Sequence, residues 1–125
     1  MSSTLDQLLA RTANIALFAI FMQPTEDFQD LQTPQGAALL TEHLEYLFGL
    51  EDQNRLLASG PLDPDAPSNE GMCILRAESL AQAQAIAAAE PFARAGWRIN
   101  TVRAWRLNEG VLVPAVRASG ATAGE

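Results

Sequence analysis

The sequence predicts an α+β fold, with helices packed on one face of an antiparallel sheet. Three observations carry this. The apolar runs "ANIALFAIFMQ", "MCILRA" and "WRINTVRAWRL" read as strands. Two stretches with apolar residues at helical spacing lie between strands. Caps, prolines and glycines mark the joints. The 125 residues suit one domain, and a hydrophobic fraction of 48% is enough for a core.

Residues 1–12 carry Leu5, Leu8 and Leu9 at helical spacing and read as an N-terminal extension with helical character. In the first strand Ile15, Leu17, Ala19 and Phe21 point to one face, and Ala16, Phe18, Ile20 and Met22 to the other. Both faces are apolar, so both should be covered. Helices can cover one; a second subunit is the economical cover for the other. "QPTEDFQDLQT" is a loop. Thr33 is a good N-cap and Pro34 suits the first helical position. The helix then runs through Leu39, Leu40, Leu44, Leu47 and Phe48 and ends near "EDQN". "RLLASGPL" is a short strand broken by Gly60 and Pro61, and "DPDAPSNEG" is a turn-rich loop before the third strand.

Ser79 and Gln82 form a capping-box pattern ahead of the alanine-rich "LAQAQAIAAA" helix. Pro91 begins a short extra turn, which Gly96 closes. The last main strand follows. "GVLVPAVR" reads as an added edge strand, where Pro114 is tolerated, and "ASGATAGE" as a mobile tail. The order β-α-β-β-α-β is the ferredoxin-like split arrangement. It occupies residues 13–110, with 111–125 as edge strand and tail. Helices on one face and a second copy on the other would make a dimeric α+β barrel.

Charge narrows the partners. Fifteen acids against 8 bases give a net charge of −7. That balance repels phosphate backbones and anionic membrane surfaces, so neither nucleic acid nor membrane is expected. Arg94, Arg98, Arg103 and Arg106 form a local basic cluster. It reads as a solvated strand or helix face, with an anionic small ligand as the alternative. Cys73 is the sole cysteine and reads as a small core residue; there is no Cys/His cluster for zinc. No apolar run reaches the roughly 20 residues that span a membrane. "ANIALFAIFM" lacks the flanks of a signal peptide, so a cytoplasmic protein is expected.

The ordered set His43, Asp52, Ser59-Gly60-Pro61, the alanine-rich helix, and Glu90-Pro91-Phe92 with Gly96 resembles the YCII-related domain proteins. The likeness spans about residues 13–110. Members show a His in the first helix, an Asp nine residues on, a strand ending in Gly-Pro, and an Asp-Pro-Phe or Asp-Pro-Tyr step before a glycine. Here Glu90 replaces that Asp, one methylene longer, and Asn54 stands where a glycine is usual. The resemblance implies a ferredoxin-like dimer with a pocket between helices and sheet. It implies a His–Asp active-site pair, here His43 and Asp52. Relatives include a dehydrochlorinase acting on chlorinated hydroxyquinones, and the wider superfamily includes muconolactone isomerases.

The residues themselves test that transfer. His43 faces the apolar stripe, beside Leu39, Leu40, Tyr46 and Leu47. It is either a satisfied structural residue or a group that moves protons near neutral pH. Nine positions of one helix put Asp52 on the opposite face and roughly 13 Å along. The pair can meet only if the helix ends near Gly49 and folds back, or if Asp52 comes from a partner subunit. Otherwise Asp52 only terminates the helix. Ser59, Gly60 and Pro61 are pocket wall or a plain bulge. Glu90 is a pocket carboxylate or a surface charge at a helix break. Met72 and Phe92 are core or pocket wall. Trp97 and Trp105 alternate onto one strand face and would bury in the dimer interface.

Three functions follow. The first is a lyase or isomerase acting on a small compound with His43 as acid–base group and Asp52 as its orienter, needing no metal or organic cofactor. The second is a non-catalytic metabolite-binding or accessory dimer. The third is an interaction scaffold with an incidental pocket.

Overall fold

The computed structural model describes residues 3–66 and 68–123. In order it contains α1 (Leu5–Arg11), β1 (Ile15–Pro24), α2 (Pro34–Asp52), β2 (Leu56–Pro61), β3 (Gly71–Leu75), α3 (Leu80–Ala89), α4 (Pro91–Arg94), β4 (Arg98–Leu107) and α5 (Val113–Ala123). The four strands make one antiparallel sheet in the order β2-β3-β1-β4. This is the ferredoxin-like arrangement that the element order predicts.

Local chemistry sets the helix ends. The Thr33 hydroxyl accepts from the Gly36 N–H at 3.0 Å and starts α2 with Pro34 behind it. The Ser79 hydroxyl accepts from the Gln82 N–H at 3.0 Å and starts α3. The expected reciprocal half of that capping box is displaced by one residue. The Gln82 side chain accepts instead from the Glu78 N–H, at 2.7 Å. After α2 the chain turns through Asn54 in the left-handed region (φ 61°), which asparagine tolerates.

The inner sheet face carries the main core. Phe18, Ile20, Met22, Cys73 and Leu75 pack against Leu50 of α2 and against Ala83 and Ala87 of α3. The small alanines let α3 sit close to the strands. Burying such side chains stabilises the fold by roughly 25 cal/mol per Å² of apolar surface. The Tyr46 hydroxyl donates to the Ile86 carbonyl at 2.8 Å and ties α2 to α3.

The outer face corrects the sequence reading. Residues 110–117 do not add an edge strand. The chain turns at Gly110 (φ 131°) and enters α5, with Pro114 in its first turn, where a missing N–H costs nothing. Val116 buries against Leu17 and Leu107, with Ile15, Leu57, Ile74 and Val113 around them. Helix α5 therefore covers one end of the face assigned to a second subunit, so helices lie on both sides. It is tied down by the Asn54 amide donating to the Ser119 carbonyl and by Arg76 donating to the Ser119 hydroxyl, both at 2.8 Å. The tail expected over 118–125 is helical to Ala123, and its last two residues lie outside the described residues. Among the described residues no helix is long and apolar enough to cross a membrane.

Candidate active site

Helix α2 turns few side chains inward. His43 and Leu50, two turns apart, are buried on the face that meets α4 and the sheet, and His43 is only 8% exposed. What faces it there is a carboxylate. His43 Nδ1 lies 3.0 Å from Glu90 Oε2.

Glu90 reaches that position because it ends one helix and starts the next. It is the C-cap of α3 and the N-cap of α4, with extended backbone (φ −63°, ψ 135°). Its Oε2 accepts the Phe92 N–H at 2.5 Å. Its Oε1 accepts from the Asn100 amide at 3.2 Å, and the same amide nitrogen donates to the Ala87 carbonyl at 2.9 Å. Burial by itself pushes the Glu90 carboxyl up. The contact with His43, the Phe92 N–H and the Asn100 amide outweigh burial and hold it below its ordinary value. Glu90 is thus a buried anion (3% exposed) at neutral pH. A carboxylate at Nδ1 favours the proton on that nitrogen and leaves Nε2 with its lone pair for a ligand.

An aromatic wall completes the enclosure. The Phe92 ring lies 4.7 Å from the His43 ring, between it and Trp97 at 5.9 Å, and Phe28 closes on both Phe92 and Trp97. Trp97 is accordingly a core residue of the chain itself, not an outer-face residue as its alternation suggested. It precedes β4 and its backbone is turned by Gly96 (φ 79°). Trp105 does lie on the outer face and is 41% exposed. A cavity of about 560 Å³ opens beside the pair. His43, Phe92, Leu40, Leu44 and Leu47 line it from the helices, Arg98 from the start of β4, and residues 56–62 of β2 and its exit from the other side.

The expected site residues divide. His43, Glu90 and Phe92 come together; Glu90 is not the surface charge it was read as in one alternative, but a buried carboxylate against His43 that does not itself line the cavity. Ser59, Gly60 and Pro61 are exposed and form cavity wall. Met72 does not: it pairs with Phe21 on the outer face, because β3 alternation turns Cys73 inward in its place. Asp52 is exposed at the last position of α2. That helix is continuous through Gly49, so the fold-back that a within-chain His43–Asp52 pair required does not occur. Glu90 takes the place beside His43 that Asp52 was expected to fill. Cys73 is buried and its thiol is pushed up to about 12, by burial first and the Glu90 charge second, so no thiolate is available.

Two participants escaped the sequence reading, Phe28 and Asn100, and Arg98 was read only as one of a basic cluster. The signal for Arg98 and Asn100 was present. They alternate with Val102 on the inward side of β4, and polar residues on a core-facing side are uncommon without partners. Of the basic cluster, only Arg98 turns in; Arg94, Arg103 and Arg106 are exposed.

Comparison with known proteins agrees with this fold. Residues 16–106 match the model of the YCII-related domain. A solved structure with the same fold is the 5-chloro-2-hydroxyhydroquinone dehydrochlorinase from Burkholderia phenoliruptrix AC1100, in complex with 2,5-dihydroxybenzoquinone. It superposes with a TM-score of 0.56, covering 71% of this chain and 92% of its own, at 24% identity. No curated protein matches.

Proposed function

The chain belongs to the YCII-related domain family, and from that premise we propose that it binds a small molecule in the 560 Å³ cavity and catalyses proton transfer there, as a lyase or isomerase. The observation that carries this is the buried His43–Glu90 contact at 3.0 Å, on the wall of a largely apolar cavity. His43 Nε2 would take a proton from a ligand carbon or oxygen and return it elsewhere. Glu90 would hold the ring in one tautomer and stabilise the imidazolium that forms. The dehydrochlorinase with this fold supports an elimination on a ring-sized compound.

Two further parts of the reading concern the whole protein. It is a homodimer through the outer sheet face, where Ile99 and Trp105 stay exposed. It is cytoplasmic, which a single unpaired cysteine fits. The alternative is a metabolite-binding protein without turnover. The mostly apolar lining of the cavity, with few polar groups, favours it as a second reading.

The test begins with ¹⁵N shifts of the only imidazole, which report which ring nitrogen carries the proton. Above neutral pH the native protein should show the Nδ1–H form. Glu90→Gln should lose that preference and Asp52→Asn should keep it. If Asp52→Asn alone disturbs the tautomer, Asp52 is the orienter, supplied by another subunit. Once a reacting compound is found, His43→Gln should lower kcat by about 10²–10⁴-fold with ligand affinity retained. Unchanged kcat leaves the binding-protein reading.

A further inference from the structure

Arg98, the first residue of β4, sits on the cavity wall with two adjacent aromatic rings packed against one side of its guanidinium. Its Cζ is 4.8 Å from the Phe92 ring centroid and 5.4 Å from that of Phe28. Its Nε and Nη2 donate to the Asn69 carbonyl at 3.0 and 2.8 Å. Its Nη1 meets only the Met22 sulfur, at 3.8 Å, among the described residues. One edge of the fork is thus held by backbone, and the other ends against a poor acceptor. Glu51 and Glu70, the carboxylates that line the cavity, do not pair with it among the described residues, and the buried Glu90 acts on it through space while in contact with His43 and accepting from Phe92 and Asn100.

A guanidinium cannot shed its charge, so a partly buried one retains its demand for an anion. Here rings and one carbonyl orient it without neutralising it. When His43 is protonated the inward group Glu90, His43 and Arg98 carries a net positive charge, in a protein that is otherwise acidic. Most of the remaining wall is apolar, Leu40, Leu44 and Leu47 among it, and its two acids, Glu51 and Glu70, are exposed or half-exposed to solvent.

We propose that Arg98 is the anion-binding residue of this cavity. Its ligand is a compact, largely apolar molecule with one anionic oxygen group, carboxylate or phenolate, which docks on the free edge of the guanidinium beside His43. The inference rests on the cavity being the working site, as proposed above, and names the class of compound it takes. An anion held there also shields charge that builds on ligand oxygen as His43 removes a proton.

The experiment compares benzoate with benzamide, which share ring and size but differ in charge, by titration calorimetry. The native protein should bind benzoate at least tenfold tighter. Arg98→Met should abolish that difference and leave benzamide unaffected, and Arg98→Lys should restore part of it. A second arm, 4-nitrophenolate against nitrobenzene, separates a phenolate site from a carboxylate site. Should Arg98→Met fail to fold, Arg98→Lys and the salt dependence of benzoate binding to the native protein decide: a weaker anion preference in both supports the proposal. Equal binding of charged and neutral probes, or no binding of either anion, overturns it. His43→Gln should keep the benzoate preference. Loss of turnover with that preference intact, or retention of both, thus reports on proton transfer separately from anion binding.

Discussion

At Glu90, burial and bonding pull the carboxyl in opposite directions, and bonding prevails. The consequence for stability has a definite sign. An unfolded glutamate titrates near ~4.3, and the folded one below that. Its contribution is therefore complete above the unfolded value and disappears as pH falls through the folded one. Urea unfolding between about pH 5 and pH 2 should show native stability dropping more steeply than that of Glu90→Gln. At neutral pH the variant should be the less stable of the two, since it leaves His43 without its anion. The residues of this site were individually legible: a lone His on an apolar face, a Glu before Pro, a Gly-Pro at a strand end. Their pairing was not. His43 and Glu90 lie in different helices, and only the packing of α2 on α4 brings them together. The spacing argument against an intrahelical His43–Asp52 bond was sound physics, but it could not say which acid would take the place.

Elements were legible where the pattern was strong. The alternation of β1 and the caps Thr33 and Ser79 needed no tertiary knowledge. Helix α5 was hidden because the residues that lead into and open it, Val111, Leu112, Val113 and Val116, have the β-branched and apolar character of a strand. What decides for helix is burial of Val116 against Leu17 and Leu107. Val116→Ala should then cost about 1–3 kcal/mol in thermal or urea unfolding. The exposed Val111, changed likewise, should cost less than about 0.5 kcal/mol. At the other end of the molecule, a Cβ on Gly36 would strike the backbone of Asp30 and Leu31. Gly36→Ala should therefore destabilise the protein despite the better helix propensity of alanine, by about 1–3 kcal/mol.

At the scale of the whole molecule the sheet divides the labour: the inner face builds the cavity, and the outer face is covered by α5 at one end and open at the other. The open end presents Ile99, 63% exposed, diagonal to Phe21 on the neighbouring strand. If a second copy seats there, as proposed, sedimentation should find native dimers, and Ile99→Lys should shift them to monomers without disturbing the His43 tautomer. The Glu90 oxygen that meets His43 Nδ1 is the one that accepts the Phe92 N–H, and Asn100 steadies its twin. Shortening the side chain to aspartate could keep the helix cap but would draw the carboxylate away from the ring. Positions 43, 90 and 100 therefore form one chain of contacts across three elements, and a change at any one of them leaves a buried polar group elsewhere in the chain short of a partner.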